Sequence, residues 1–124
     1  MASRMTMERR RAPRIETRLP VTVTGQGKAF LVQTKNLSAT GAYCAFKQFV
    51  RPMTKLRVRM EVTSGSHPCI ISCEGVVVRV DPPKPSRHHK HYDVAIFFHD
   101  LADDDRFSLA RYVQEHLNPI SSDE

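Results

Sequence analysis

The chain has 124 residues, of which 40% are hydrophobic, and a formal net charge of +6. This length fits one domain with a modest core, and because no apolar run approaches about 18 residues, a membrane-spanning helix is excluded. Three cysteines without a CxxC pair are not typical of a disulfide framework, and the N-terminus lacks the apolar segment of a signal peptide. We therefore expect a cytoplasmic protein.

The positive charge is concentrated near the N-terminus. Residues 1–18 contain six arginines and two glutamates, so this segment carries +4 of the net +6. Because residues 1–17 are polar and show little hydrophobic periodicity, we predict that they form a flexible basic arm. An excess of this kind indicates an anionic partner, and at this point nucleic acid, a lipid surface and a nucleotide all remain open.

Short segments with strand-like patterns follow the arm and predict a mainly β domain over residues 18–118. These segments cover residues 19–23, 30–35, 41–46, 56–62, 69–80 and 92–98, separated by turn or loop sequences. Gly75, in the middle of the fifth segment, predicts a bulge or bend there. Strands this short and numerous tend to close into a barrel, because closure removes exposed edges.

The hydrophobic period changes near residue 103 and predicts a C-terminal helix. The three aspartates at 103–105 are typical of a helix start. We expect an apolar stripe to pack against the barrel; it consists of Phe107, Ala110, Val113 and Leu117. Pro119 ends the helix, and residues 119–124 form a tail.

Arginines of the arm are the first candidate binding residues. Arg10 and Arg14 are four residues apart, and Arg9 precedes them. A guanidinium group suits phosphate because its planar fork donates two parallel hydrogen bonds and stays charged, and the same fork matches the O6 and N7 acceptors of guanine. The alternative is a solvated basic tail, which is the commoner use of an arginine cluster.

A second candidate is the polar turn at residues 36–41. Asn36 and Ser38 are able to bond their own turn or a ligand, and Gly41 permits a close approach of backbone. Taken alone, this segment is also compatible with an ordinary turn between two strands.

Other chemistry has little support in the sequence. The histidine-rich segment at residues 87–91 lies among cations and prolines, so we interpret it as a solvated loop and not as a metal site. Arg79, near the end of a strand segment, could reach a ligand, but we interpret it as a solvent-facing strand residue. No nucleophile elbow, metal-ligand spacing or phosphate loop is present, so neither catalytic residues nor a cofactor are expected.

Together, the two candidate segments resemble the signature of a known family. The pattern Arg9-Arg10-x-x-x-Arg14 followed by Asn36-x-Ser38-x-x-Gly41 is similar to the paired PilZ motifs, RxxxR and (D/N)xSxxG. Residues 19–23, 76–80 and 92–98 also resemble strands of that family. The resemblance covers residues 8–117.

The resemblance implies a six-stranded antiparallel β-barrel of PilZ type with a C-terminal α-helix, which binds the bacterial second messenger cyclic di-GMP. Arg10 and Arg14 would clamp phosphate and guanine. Asn36 and Ser38 would bond a guanine edge, and Gly41 would leave room for the ring. An arginine at the position of Arg9 resembles family members that bind two stacked ligand molecules.

The expected function is that of a cyclic di-GMP-binding effector or adaptor. It would couple ligand binding to an unidentified downstream protein through ordering of the arm. One alternative is a basic β-barrel that binds nucleic acid, although three Tyr, six Phe and no Trp offer little for a stacking platform. Another is a PilZ-like protein–protein adaptor without nucleotide binding, which the intact motif pair disfavours.

Overall fold

The structure of the protein is a computed structural model that describes residues 13–117, and these residues form seven β-strands and one α-helix. The predicted strand segments and the helix are all present, and one short strand precedes them. The elements are β1 (Arg14–Ile15), β2 (Pro20–Gly25), β3 (Lys28–Ser38), β4 (Gly41–Phe46), β5 (Lys55–Ser64), β6 (His67–Asp81), β7 (Tyr92–Phe98) and α1 (Asp103–Leu117).

Strands β2 to β7 form a closed antiparallel barrel. The order of neighbours is β3, β2, β5, β6, β7 and β4, and pairing of β4 with β3 closes the ring. At 11 residues, β3 is long enough to pair with β2 along its first half and with β4 and β1 along its second half. The predicted six-stranded barrel with a C-terminal helix is therefore confirmed, with β1 as an extra strand.

Alternation of apolar and polar residues determines which side chains fill the barrel. Successive side chains of a strand point to opposite faces, so every second residue of β5 is buried while its neighbours are exposed. The same alternation in β6 and β7 supplies the opposite wall. Fully buried side chains of this core include Phe46, Leu37, Ile71, Leu109, Val58, Val77 and Val94.

The chain between β1 and β2 is fastened to β3. Ile15 is buried in the core, and the buried side chain of Thr34 bonds this segment at two points. Its Oγ1 accepts a hydrogen bond from the amide of Leu19 at 2.9 Å and donates one to the carbonyl of Thr17. Residues 14 and 15, which the sequence placed in the arm, thus lie against the barrel, while the arm up to residue 12 and the tail from residue 118 lie outside the described residues.

Gly75 is not the site of the irregularity in β6. The register shift lies between Val77 and Arg79, and Gly75 pairs regularly with Leu56 and Phe98. A Cβ at Gly75 would lie 2.6 Å from Cγ2 of Ile96. This glycine therefore serves a close side-chain approach, and the bulge occurs farther along the strand.

The helix buries a different face from the predicted one. Its buried residues are Leu109, Tyr112 and Val113, whereas Phe107 is 67% exposed and Leu117 is 40% exposed; Ala110 is also exposed. Only Val113 of the predicted stripe is buried, because Leu109, Tyr112 and Val113, at i, i+3 and i+4, form one contiguous apolar face of the helix. Within residues 13–117, no helix has the length and apolar character that crossing a membrane requires.

The three cysteines are free thiols in different environments. Cys44 and Cys73 are buried in the barrel, whereas Cys69 is partly accessible. Burial raises the pKa of the Cys44 thiol to about 12 and that of the Cys73 thiol to about 11. Because a raised pKa keeps the neutral form, both are protonated at neutral and mildly alkaline pH.

We expect thiol labelling of the folded protein at pH 8 to modify Cys69 first. The thiolate is the reactive form, so Cys44 and Cys73 should react only slowly until the protein unfolds. Mass spectrometry after a short exposure to a maleimide measures this, with full labelling in denaturant as the reference. A Cys69→Ser variant should lose the fast reaction, and rapid labelling of Cys44 in the folded protein would contradict a closed barrel.

Candidate ligand-binding site

A groove on the outer face of the barrel crosses β3, β4, β7 and β6. Its volume is about 510 Å³, in the range of small-molecule sites. Among the described residues that line it, the charged ones are Arg14 and Arg79, so the groove is electropositive and suits an anion. The lining also includes Asn36, Thr40, Gly41, Tyr43, Val78, Ala95 and Phe97.

Arg14 and Asn36, which the sequence analysis assigned to one site, are in direct contact. Arg14 pairs with Ser38 in the ladder between β1 and β3. Its Nη1 donates a hydrogen bond to Oδ1 of Asn36 at 2.7 Å, at an exposed position. A guanidinium group carries several N–H donors in a planar fork, so this single bond leaves most of them available to a ligand.

A β-bulge turns Asn36 toward the groove. The pairing of β3 with β4 shifts between Thr34 and Asn36, so Lys35 is the extra residue. Without the bulge, Asn36 would have the same parity as the buried Thr34 and would point into the barrel. The bulged Lys35 instead pairs with a carboxylate, with its Nζ 3.0 Å from Oδ2 of Asp93.

Ser38 organises the turn and does not line the groove. Its side chain is fully buried. The Ser38 hydroxyl lies 3.1 Å from Oγ1 of Thr40, accepts a hydrogen bond from the Thr40 amide at 3.1 Å and donates one to the Gly41 carbonyl at 3.3 Å. These contacts fix the connection between β3 and β4, and hence the positions of Asn36 and Gly41.

Gly41 is required by the contact between β4 and β7. A Cβ at this position would lie only 2.4 Å from the carbonyl oxygen of Ile96. Because the obstructing atom belongs to the backbone, it cannot move aside as a flexible side chain would. The glycine thus permits close strand packing directly beneath one end of the groove.

The opposite end of the groove contains an arginine on an aromatic ring. Arg79 Nη2 donates a hydrogen bond to the Tyr43 hydroxyl at 2.7 Å, and the Arg79 Cζ lies 5.7 Å from the centre of the Tyr43 ring. A second bulge, at Val78 in β6, turns both Val78 and Arg79 outward. Arg79 thus faces outward, in agreement with its interpretation as a solvent-facing residue, and Tyr43 is a groove residue that neither motif includes.

A signal for this bulge is present in the sequence. Counting by twos from the buried Ile71 and Cys73 places Arg79 on the inward face of β6. A charged residue at an inward position indicates a break in the alternation. The same count from Val32 and Thr34 places Asn36 inward, so one rule identifies both groove residues.

Asn36 and Arg79 are the ends of one row of paired residues. Asn36 pairs with Tyr43, Tyr43 pairs with Ala95, and Ala95 pairs with Arg79. Three strand spacings separate the ends, or about 14 Å. The small Ala95 side chain leaves space in the middle, which the Arg79–Tyr43 hydrogen bond spans.

Arg9 and Arg10 lie outside the described residues, so their positions in the site stay predictions. The structure brings together Arg14, Asn36 and Gly41 at the groove, with Ser38 buried just behind them.

The PilZ domain family model matches residues 8–115 of the chain. No curated protein sequence matches the chain. Among solved structures, the chain is similar to the Bacillus subtilis inhibitor of motility (MotI/DgrA), with a TM-score of 0.76, 17% identity and coverage of 89% of this chain. The chain spans about half of that protein, 52% of its length. It is also similar to the PilZ domain of CeSA from a cellulose-synthesizing bacterium, with a TM-score of 0.49, 21% identity and coverage of 82% of this chain and 94% of that one.

We expect Gly41→Ala to destabilise the barrel. The added methyl group collides with the Ile96 carbonyl, and overpacking of this kind costs about 1–3 kcal/mol of unfolding free energy. Denaturant unfolding followed by circular dichroism measures the loss. Arg59→Ala, on the exposed face of β5, is the control and should change stability by less than about 0.5 kcal/mol. Equal unfolding midpoints for Gly41→Ala and the parent protein would show that the strands separate easily at this point.

Proposed function

The chain belongs to the PilZ domain family, and on this premise we propose that it is a cyclic di-GMP-binding effector or adaptor. The observation that carries the proposal is the hydrogen bond between Arg14 of the first motif and Asn36 of the second. Residues separated by 22 positions meet at the rim of an electropositive groove. This contact supports one shared site for the two motifs.

The groove has the chemistry that a guanine dinucleotide requires. The Arg14 guanidinium is a donor for phosphate oxygens or for the O6 and N7 acceptors of guanine. The Asn36 amide offers both a donor and an acceptor to a base edge. Val78 and Phe97, which are 52% and 46% exposed, provide an apolar floor against which a purine ring could lie.

In this proposal Ser38 acts indirectly. Its hydroxyl is engaged within the turn, so it holds the backbone that carries Asn36 and Gly41 rather than contacting the base. Arg10 and Arg9 would complete the site from the segment that precedes Arg14. Up to two ligand molecules per chain would be accommodated if Arg9 acts as it does in the family members it resembles.

Coupling to a partner protein would follow from ordering of that segment. Ligand phosphates would draw Arg10 toward the groove, and the chain before Arg14 would then be fixed across the outer face of β3 and β4. The free energy of ordering is subtracted from the gross interaction energy. The ordered segment and the barrel face would form a combined surface that a downstream protein recognises, which is a binding function and involves no catalysis.

We expect the parent protein to bind cyclic di-GMP in isothermal titration calorimetry, with saturation at one or two molecules per chain. Arg14→Ala and Arg10→Ala should each reduce binding below detection, because each removes a bidentate donor to the ligand. Both variants should stay folded, since Arg14 is exposed and contributes no core packing. The matched control is Arg59→Ala, an exposed strand arginine outside the groove.

The controls separate this proposal from nucleic-acid binding. GTP and a short single-stranded RNA are titrated in parallel at two salt concentrations. RNA binding that depends on length and weakens steeply with salt would favour a nucleic-acid function. Unchanged cyclic di-GMP affinity in both arginine variants would overturn the assignment of the groove.

A further inference from the structure

We infer that Arg79, held in place by Tyr43, is a second guanine-binding residue at the far end of the groove. This inference rests on the proposed function and extends it beyond the two motifs. Neither motif includes Arg79 or Tyr43. The inference depends on how β6 and β4 position these two side chains.

Arg79 occupies its position because of a specific backbone irregularity. The Val78 bulge turns Arg79 out of the barrel, as the Lys35 bulge turns out Asn36. The two bulges lie at opposite ends of one cross-strand row. Bulges are frequent next to binding sites, where they redirect a side chain. The fold thus directs a polar side chain into the groove at both ends by the same device.

Tyr43 holds the Arg79 guanidinium in a defined orientation. The 2.7 Å hydrogen bond to the Tyr43 hydroxyl and the 5.7 Å separation from the ring restrict the arginine side chain. Among the described residues, no acidic side chain lies within ion-pair distance of Arg79. Its remaining N–H donors are therefore available, and less conformational entropy is lost when a ligand binds.

The space beside Arg79 suits a purine ring. Ala95 lies between Tyr43 and Arg79 in the row, and the Arg79–Tyr43 hydrogen bond passes over its small side chain. Val78 and Phe97 flank this space as partly exposed apolar groups. A guanine base lying on this floor would present O6 and N7 to the Arg79 fork. Adenine carries an amino donor in place of O6, so it would fit the same donors less well.

The two arginines are spaced for the two ends of one ligand. Arg14 bonds Asn36 at one end of the row, and the backbone of Arg79 lies three strand spacings, about 14 Å along the sheet, from that of Asn36. A dinucleotide has two bases joined by phosphates, so a groove with an arginine from each side offers a fork to more than one part of it.

The test compares Arg79→Ala, Arg79→Lys and Tyr43→Phe with the parent protein by calorimetry, using cyclic di-GMP and cyclic di-AMP. We expect Arg79→Ala to weaken cyclic di-GMP binding about tenfold or more. Arg79→Lys should weaken it by nearly as much, because an ammonium group keeps the charge but not the fork. Tyr43→Phe, which keeps the ring and removes the hydroxyl, should have an intermediate effect.

Base preference supplies a readout that a purely structural role would not change. Arg79→Ala should narrow the affinity ratio between cyclic di-GMP and cyclic di-AMP, whereas Arg59→Ala should leave both affinities and their ratio unchanged. Thermal unfolding confirms that each variant is folded. Parent-like affinity in Arg79→Ala or Arg79→Lys, with the parent protein binding normally, would overturn this inference and leave the proposed function standing. Absence of binding by the parent protein would overturn both.

Discussion

The candidate site depends on one strand that is paired on both sides along its second half. β3 continues past its hairpin with β2, and its last residues pair with β4 on one side and β1 on the other. The β4 pairing closes the barrel, and the β1 pairing fixes Arg14 opposite Ser38. Closure and the first contact of the site therefore depend on the same segment of β3.

The groove itself is made by departures from regular strand geometry. A regular barrel would direct Asn36 and Arg79 inward, where neither would find a partner. The bulges at Lys35 and Val78 allow these residues to face outward while the apolar residues on either side remain in the core. The buried Ser38 network and the Gly41 contact then fix the turn between β3 and β4. A preorganised polar row results, on a scaffold whose core is otherwise uniform.

Much of this arrangement was predictable from the sequence, and the remainder had physical reasons for being missed. Period-two alternation located the strands, since burial inside a barrel requires it, and the paired motifs located Arg14, Asn36 and Gly41. The prediction of the buried helix face was wrong because it left out Leu109 and Tyr112, whose side chains are buried. The bulge was placed at Gly75 because glycine weakens a strand, although here it relieves a contact with Ile96. Arg79 faces outward, as the sequence indicates, but its contact with Tyr43 depends on the bulge at Val78, which becomes evident only when the parity of the strand is counted.

The extra residue in β6 has a consequence for how chains of this kind would vary in length. Removing Val78 would restore strict alternation, and Arg79 would still face outward because Val77 and Val80 would keep their inward positions. The barrel would survive such a deletion, while the groove would lose one aliphatic side chain from its floor. A one-residue gap at this point in a sequence alignment would therefore record a change in the shape of the groove, with the rest of the architecture unaltered.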